Sequence, residues 1–333
     1  MTLKRFIQRA YHFGERIVNE GKWLPSRWGI FGPKVALETF WDGLFPPGKT
    51  PRYIRTIEHY VDGVMQPLIA QFQTQQDAPA QPTGDKIPVW CCWWQGEAQM
   101  PELVKLCHAR LKQVLPEEKA ELHLITLDNY RDYVQLPEHI IEKFEKKIIT
   151  MTTMSDVLRF ALLEKYGGYW LDATVFFSGE IPEEYFSGKF YCQRMVGNTA
   201  YTRREACRGN WCGFSMAGPR NSIVFRFMSQ AFSIWWERFD TIIDYVLIDY
   251  LLWSGFKAVP AIHDVIDSVP DNNEDIFEMY QVLNQPYSQE LLARLTQRNV
   301  MHKLTYKMDL QTRTVEGELT LYGWLRQQVL GEE

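Results

Sequence analysis

Apolar positions at the start of the chain recur with helical spacing. Phe6, Ile7, Ala10, Phe13, Ile17 and Val18 fall on one face, and residues 1–72 read as a region of helices and turns. The polar stretch 73–86, broken by Pro79, Pro82 and Gly84, reads as a linker. From residue 87 onward the periodicity alternates. An apolar run at 89–94 predicts a buried strand, and Leu103, Leu106, Cys107, Leu111 and Val114 give 101–115 a helical period. Residues 121–127 predict a second strand, 139–147 a short helix and 148–150 a third strand. Residues 154–166 predict a strong helix closed by Gly167, and 169–171 a fourth strand. Such alternation predicts an α/β domain over 87–333, a mainly parallel sheet with helices on its faces. Sheets of this kind bind ligands beyond the carboxyl ends of their strands, here at Trp94, Leu127 and Leu171.

Charge adds one feature to this pattern. The 333 residues carry a net charge of −5, which argues against a nucleic-acid partner. Residues 1–60, however, hold ten Lys/Arg against five Asp/Glu, so the remainder is strongly acidic. Lys4, Arg5, Arg9 and Arg16 stand among the apolar positions of the first helix. A basic amphipathic helix suits the headgroup plane of an anionic membrane, and equally suits packing on the following domain. No run of 18 apolar residues exists to span a bilayer, and no signal-peptide pattern opens the chain. The six cysteines form no CxxC and no zinc spacing. They read as buried free thiols of a reducing cytoplasm, which gives a cytoplasmic protein, peripheral on the inner membrane face where the first helix binds lipid.

The nucleotide-binding loops GxGxxG and GxxxxGK[ST] are absent, as are GxSxG and HExxH, which disfavours a dehydrogenase, a P-loop NTPase, a serine hydrolase and a zinc protease. The informative segment is 153–174. Thr153 with Asp156 fits a capping box, and Asp156 shares a helix face with Arg159, three residues on. Gly167 and Gly168 end the helix and turn the chain into a strand, from which Asp172 emerges. Helix start and strand end therefore converge on one polar pocket. A carboxylate acceptor and a multidentate guanidinium suit sugar hydroxyls, and a diphosphate leaving group needs a cation nearby. Each residue taken alone also has a structural reading as a cap, an ion pair or a turn.

The run SDVLRFALLEKYGGYWLDATV, residues 155–175, resembles the bacterial capsular polysaccharide synthesis glycosyltransferases. It is similar, more distantly, to DXD-containing sugar transferases and to the glucosyltransferase domains of large clostridial toxins. The likeness extends upstream through 87–144 and weakly on to about residue 310. The resemblance implies a GT-A fold and retaining transfer of a sugar from a nucleotide donor, UDP-linked, to a growing and lipid-linked polysaccharide. Asp156 and Arg159 match the pair that grips the donor sugar, with Gly167 and Gly168 on the same side. Asp172 matches the first aspartate of DXD, which reaches the metal and the ribose. Trp94, beside Gln95, matches a tryptophan that stacks on uracil, and it also reads as one more core aromatic. The second DXD position is Thr174, a weaker ligand for Mn²⁺ or Mg²⁺ than a carboxylate, which puts the implied divalent metal in question. His302 is a candidate further ligand, and Lys303 or Lys307 a candidate replacement for part of the metal's charge. Arg194, Arg203, Arg204 and Arg208 form a candidate acceptor-side loop, and Asp249, in an apolar helical run, a candidate contact for the acceptor hydroxyl. Two alternatives follow from the same residues: a non-catalytic carbohydrate-binding or partner subunit, and a toxin-like transferase that glycosylates a protein.

Overall fold

The computed structural model describes residues 3–44, 50–79, 85–197 and 205–331. Helices α1 (Leu3–Leu44) and α2 (Pro51–Phe72) precede strand β1 (Ile87–Cys92). Then come α3 (Glu102–Val114), β2 (Ala120–Ile125), α4 (Glu138–Glu145), α5 (Met151–Tyr166), β3 (Gly168–Asp172) and β4 (Val175–Phe177). Strands β5 (Tyr191–Cys192) and β6 (Ser215–Gly218) lead to α6 (Ile223–Arg238), α7 (Leu247–Ala258) and α8 (Pro260–Asp267). Helix α9 (Gln289–Thr296), β7 (Met301–Lys303) and α10 (Leu321–Leu330) close the chain.

The main sheet has the order β2-β1-β3-β6-β5. Strand β1 lies between β2 and β3, parallel to both; β6 pairs antiparallel with β3, and β5 antiparallel with β6. Register sets Cys92 opposite Asp172, so β1 and β3 end side by side and release Trp93 and Ala173 into the same space. Strands β4 and β7 pair separately and antiparallel, with Val175 opposite Lys303. This small sheet brings the far end of the chain back to the end of β3.

Two sequence expectations differ from the structure. Residues 148–150 are no strand. Lys147 takes a positive φ of 59°, and the N–H groups of Ile148 and Ile149 turn back to the Lys143 carbonyl, so the chain passes from α4 to α5 in one tight turn. The helix of the central motif also starts a turn earlier than the capping box implied. Thr150 caps it, its Oγ1 accepting from the Thr153 N–H at 3.2 Å. That leaves Asp156 in the second turn, where its carboxylate is spared from capping.

The N-terminal helices do not form a separate core. Thr50 and Pro51 start α2, whose face of Ile57, Val61, Met65 and Phe72 is buried in the same cluster as α5, α6 and α7. Lys257 pairs with Asp62 at 2.7 Å, Arg208 with Glu58 at 2.6 Å, and the Tyr53 hydroxyl donates to Asp244. The expected linker is docked over its described part. Asp77 accepts from the Ile223 N–H at the start of α6, and Gln75 accepts from Arg226. Pro82 and Gly84 lie outside the described residues. Helix α1 breaks at Gly32, with φ 84° and ψ 168°. Phe31, Val35 and Ala36 around the break are buried, whereas Ile17, Val18, Trp23 and Trp28 further towards the start of the helix are exposed.

Gly167 and Gly168 answer to backbone packing. Both have positive φ, and a Cβ on Gly168 would sit 2.1 Å from the Pro88 carbonyl oxygen of β1. A side chain there adds left-handed strain of about 1–2 kcal/mol to an overpacking cost of about 1–3 kcal/mol. Gly168→Ala should therefore lower unfolding stability by roughly 2–5 kcal/mol, whereas Gly63→Ala, in open space on α2, should raise it slightly. Urea unfolding of both variants checks this, and equal midpoints would contradict the packing argument.

Candidate functional site

A cavity of about 730 Å³ opens at the carboxyl ends of β1 and β3. Its floor is a row of alternating charges. Asp156 and Arg159, one helical turn apart on α5, pair through Oδ1 and Nη1 at 3.1 Å. Arg159 Nη2 donates to Asp172 Oδ1 at 3.2 Å, and Trp170 Nε1, two residues back on the same face of β3, donates to that oxygen at 3.0 Å. Lys303 Nζ donates to Asp172 Oδ2 at 2.9 Å and to Thr174 Oγ1 at 2.8 Å. The guanidinium packs over Trp170, and Gly213 makes room for it, since a Cβ there would lie 2.9 Å from Arg159 Nη1.

The two carboxylates respond to this row in opposite directions. Burial pushes Asp156 up to about 6; the Arg159 charge offsets only part of that, and the Asp172 charge adds to it. Burial would raise Asp172 too, but the charges of Lys303 and Arg159, with hydrogen bonds from Lys303 and Trp170, hold it well below the usual carboxylate range. Asp172 is thus a permanent anion at neutral pH, and Asp156 titrates nearby. Burial raises the Cys92 thiol to about 12, so this cavity residue stays protonated and is no nucleophile.

Other predicted residues divide cleanly. Trp94 and Gln95 line the cavity, but Trp94 is held as part of its wall. Its Nε1 lies 2.9 Å from the Met151 carbonyl oxygen and 2.8 Å from Ser155 Oγ, and its ring packs against Tyr130 and Phe144. The neighbouring Trp93, which the sequence reading passed over, is less buried and meets the exposed ring of Tyr306 edge-on across the cavity. Asp249 also lines the cavity and accepts from Trp211 Nε1 at 2.9 Å, and the exposed Tyr245 lines it too.

Several residues are not brought to the cavity. Gly167 and Gly168 stand at the other end of β3 from Asp172. Arg194 is spent pinning the carbonyls of Asp267 and Val269 and the side chain of Asn210. Arg208 stacks on Trp253 and pairs with Glu58, and Arg203 and Arg204 lie outside the described residues. His302 is buried on the far face of β7, with Nε2 at 3.0 Å from Ser178 Oγ, and burial lowers its pKa to about 4. Strand alternation explains the exchange: His302 and Lys303 are adjacent, so only one faces Asp172.

These residues fit a divalent cation poorly. Such an ion wants several oxygen ligands, mostly carboxylate. Here Asp172 already accepts from three donors, one of them an ammonium, and its neighbour at the second position is the hydroxyl of Thr174. Among the described residues no group of three or more His, Cys, Asp or Glu lies close enough together to hold a metal.

Sequence and structure comparisons extend this picture. No curated protein matches the chain significantly. The PaToxG glycosyltransferase is similar in structure over 65% of this chain and 83% of that one, with 12% identity and a TM-score of 0.35. A family model described as capsular polysaccharide synthesis protein matches residues 52–322, a span that takes in α2, the whole sheet and the row Asp156, Arg159, Asp172 and Lys303. The chain belongs to the capsular polysaccharide synthesis protein family.

Proposed function

We propose that this capsular polysaccharide synthesis protein is a glycosyltransferase of GT-A type. It moves a hexosyl group from a UDP-linked donor, with retention, onto a growing lipid-linked polysaccharide. The observation that carries this reading is the charge row at the carboxyl ends of β1 and β3, in a cavity large enough for a nucleotide sugar. Asp156 accepts from sugar hydroxyls, and Arg159, whose Nε is buried without a partner, offers a further donor. Trp93 and Tyr306 supply aromatic faces for the base. Asp249 and Tyr245, which line the same cavity, form the acceptor side. Retention and the UDP carrier rest on the resemblance of residues 155–175 to retaining transferases.

The activity should depend on the charge of Asp156. As a carboxylate it accepts from two hydroxyls at once, and protonation turns one oxygen into a donor. Its pKa is raised to about 6, so the acceptor form appears as pH climbs through that value. Arg159 and Asp172 are the charged groups facing it. The rate of donor turnover at low donor concentration should rise through pH 6 and level off above. Asp156→Asn should lose that limb and about 1.5–3 kcal/mol of binding, roughly tenfold to a hundredfold in rate. UDP release from a panel of UDP-sugars, followed against pH in both proteins, tests it; identical profiles would remove Asp156 from the site.

A peripheral membrane location follows from the same reading. No helix among the described residues is long and apolar enough to cross a bilayer. Helix α1 instead exposes Ile17, Val18, Trp23, Trp28 and Trp41, with Arg16, Lys22 and Lys34 on the same helix. Tryptophan favours the headgroup level, and each basic residue near an anionic surface adds about 1 kcal/mol. The acceptor's lipid carrier would thereby meet the cavity without a membrane span. Co-sedimentation should show binding to vesicles containing phosphatidylglycerol, weakened by salt and by Trp23→Ala with Trp28→Ala, and none to pure phosphatidylcholine. Equal recovery in the supernatant with both vesicle types would reject the surface.

A further inference from the structure

Lys303 stands between the side chains of residues 172 and 174. Its Nζ bridges Asp172 Oδ2 and Thr174 Oγ1 and stands 4.9 Å from the Phe214 ring centroid. Backbone pairing fixes it there: the Lys303 N–H donates to the Ile276 carbonyl, and the Leu304 N–H donates to the Thr174 carbonyl, both at 2.9 Å. We propose that Lys303 is a built-in replacement for the divalent cation, binding the donor's diphosphate in its absence. This rests on the nucleotide-sugar reading above and specifies how that site handles charge.

Charge balance supports the exchange. Two aspartates with a divalent ion sum to zero, and so do one aspartate, one threonine and one ammonium. An added divalent ion would have to sit against the ammonium and share its only carboxylate, already hydrogen-bonded on both oxygens. An ammonium has three N–H donors, of which Asp172 and Thr174 take two, leaving one for a phosphate oxygen. Lys307, exposed on the rim of the same cavity, adds a second positive charge beside the incoming diphosphate. In the transfer step the bond from the anomeric carbon to the phosphate oxygen breaks, with its electron pair going to the diphosphate. The acceptor oxygen bonds to that carbon, and its proton passes to the departing phosphate oxygen. Lys303 keeps its proton throughout and donates a hydrogen bond to the charge that develops.

Calorimetric titration of the full chain with UDP, in EDTA and then in Mn²⁺, tests this. UDP should bind in EDTA, with affinity changing no more than about twofold in Mn²⁺. Lys303→Ala should weaken UDP binding in EDTA by roughly tenfold to a hundredfold, while Lys303→Arg, which keeps the charge, should lose less. Circular dichroism checks that both variants remain folded. Lys303→Ala combined with Thr174→Asp should make UDP binding depend on Mn²⁺, because it clears the ammonium and restores a second carboxylate. UDP binding only in Mn²⁺, or unaffected by Lys303→Ala, would overturn the proposal while leaving the donor reading intact. Failure to bind UDP, GDP or ADP under either condition would overturn both.

Discussion

The charge of Asp172 organises this molecule. A half-buried carboxylate at the end of β3, lining a cavity, is stabilised by the cations that meet it. Arg159 meets one oxygen from α5, and Lys303 meets the other from β7. Arg159 comes from the helix that leads into β3, but Lys303 lies 131 residues beyond Asp172, so the strand end is complete only once β7 has paired with β4. Gly213 is small because the guanidinium lies against it, and Thr174 is polar because the ammonium reaches it too. The floor of the cavity is thus tied together by hydrogen bonds and ion pairs without any ligand.

The part of the cavity that holds Tyr245 and Asp249 leans on α2. Asp244 accepts from Tyr53 of α2 and from the Val246 N–H, which fixes the turn that carries Tyr245 and Val246 into the cavity. Glu58 of α2 holds Arg208, in the segment leading to Trp211, and Trp211 in turn orients Asp249. The family match beginning at residue 52 fits this arrangement, since α2 supports half of the site.

Much of the site was legible because it is local. Asp156 and Arg159 are three residues apart on a periodic helix, and two glycines and a short apolar run lead directly to Asp172. What lay beyond reach was set by pairing across the fold. Lys303 lies 131 residues from Asp172 and meets it only through the register of β4 on β7. The sequence names both His302 and Lys303, and which of the two faces Asp172 turns on a one-residue strand alternation that chain chemistry leaves undetermined; it names Trp94, whereas Trp93, also past the end of β1, is the less buried ring. Ile148 and Ile149 misled for a related reason: two β-branched apolar residues suit a strand and a buried turn equally well, and the left-handed Lys147 decides. Thr150 and Thr153 are both good caps one turn apart, and burial of the α5 face selects the first.

A tethered ammonium and a bound metal differ in more than charge. A divalent ion offers six or so coordination positions and leaves with the product, whereas Lys303 has three donors and never leaves. Two of those donors are committed to Asp172 and Thr174, so in the proposed complex it holds one phosphate oxygen and does not chelate two. In that proposal, orientation of the diphosphate comes from elsewhere in the cavity, from Lys307 on one side and from Arg159 and Asp156 at the sugar on the other. In return the cation is positioned by strand pairing before the donor binds, with no ion to recruit and little reorganisation left as charge develops. The threonine at position 174 therefore reads as the complement of the lysine: an acceptor that orients the ammonium without adding a second negative charge beside the phosphates.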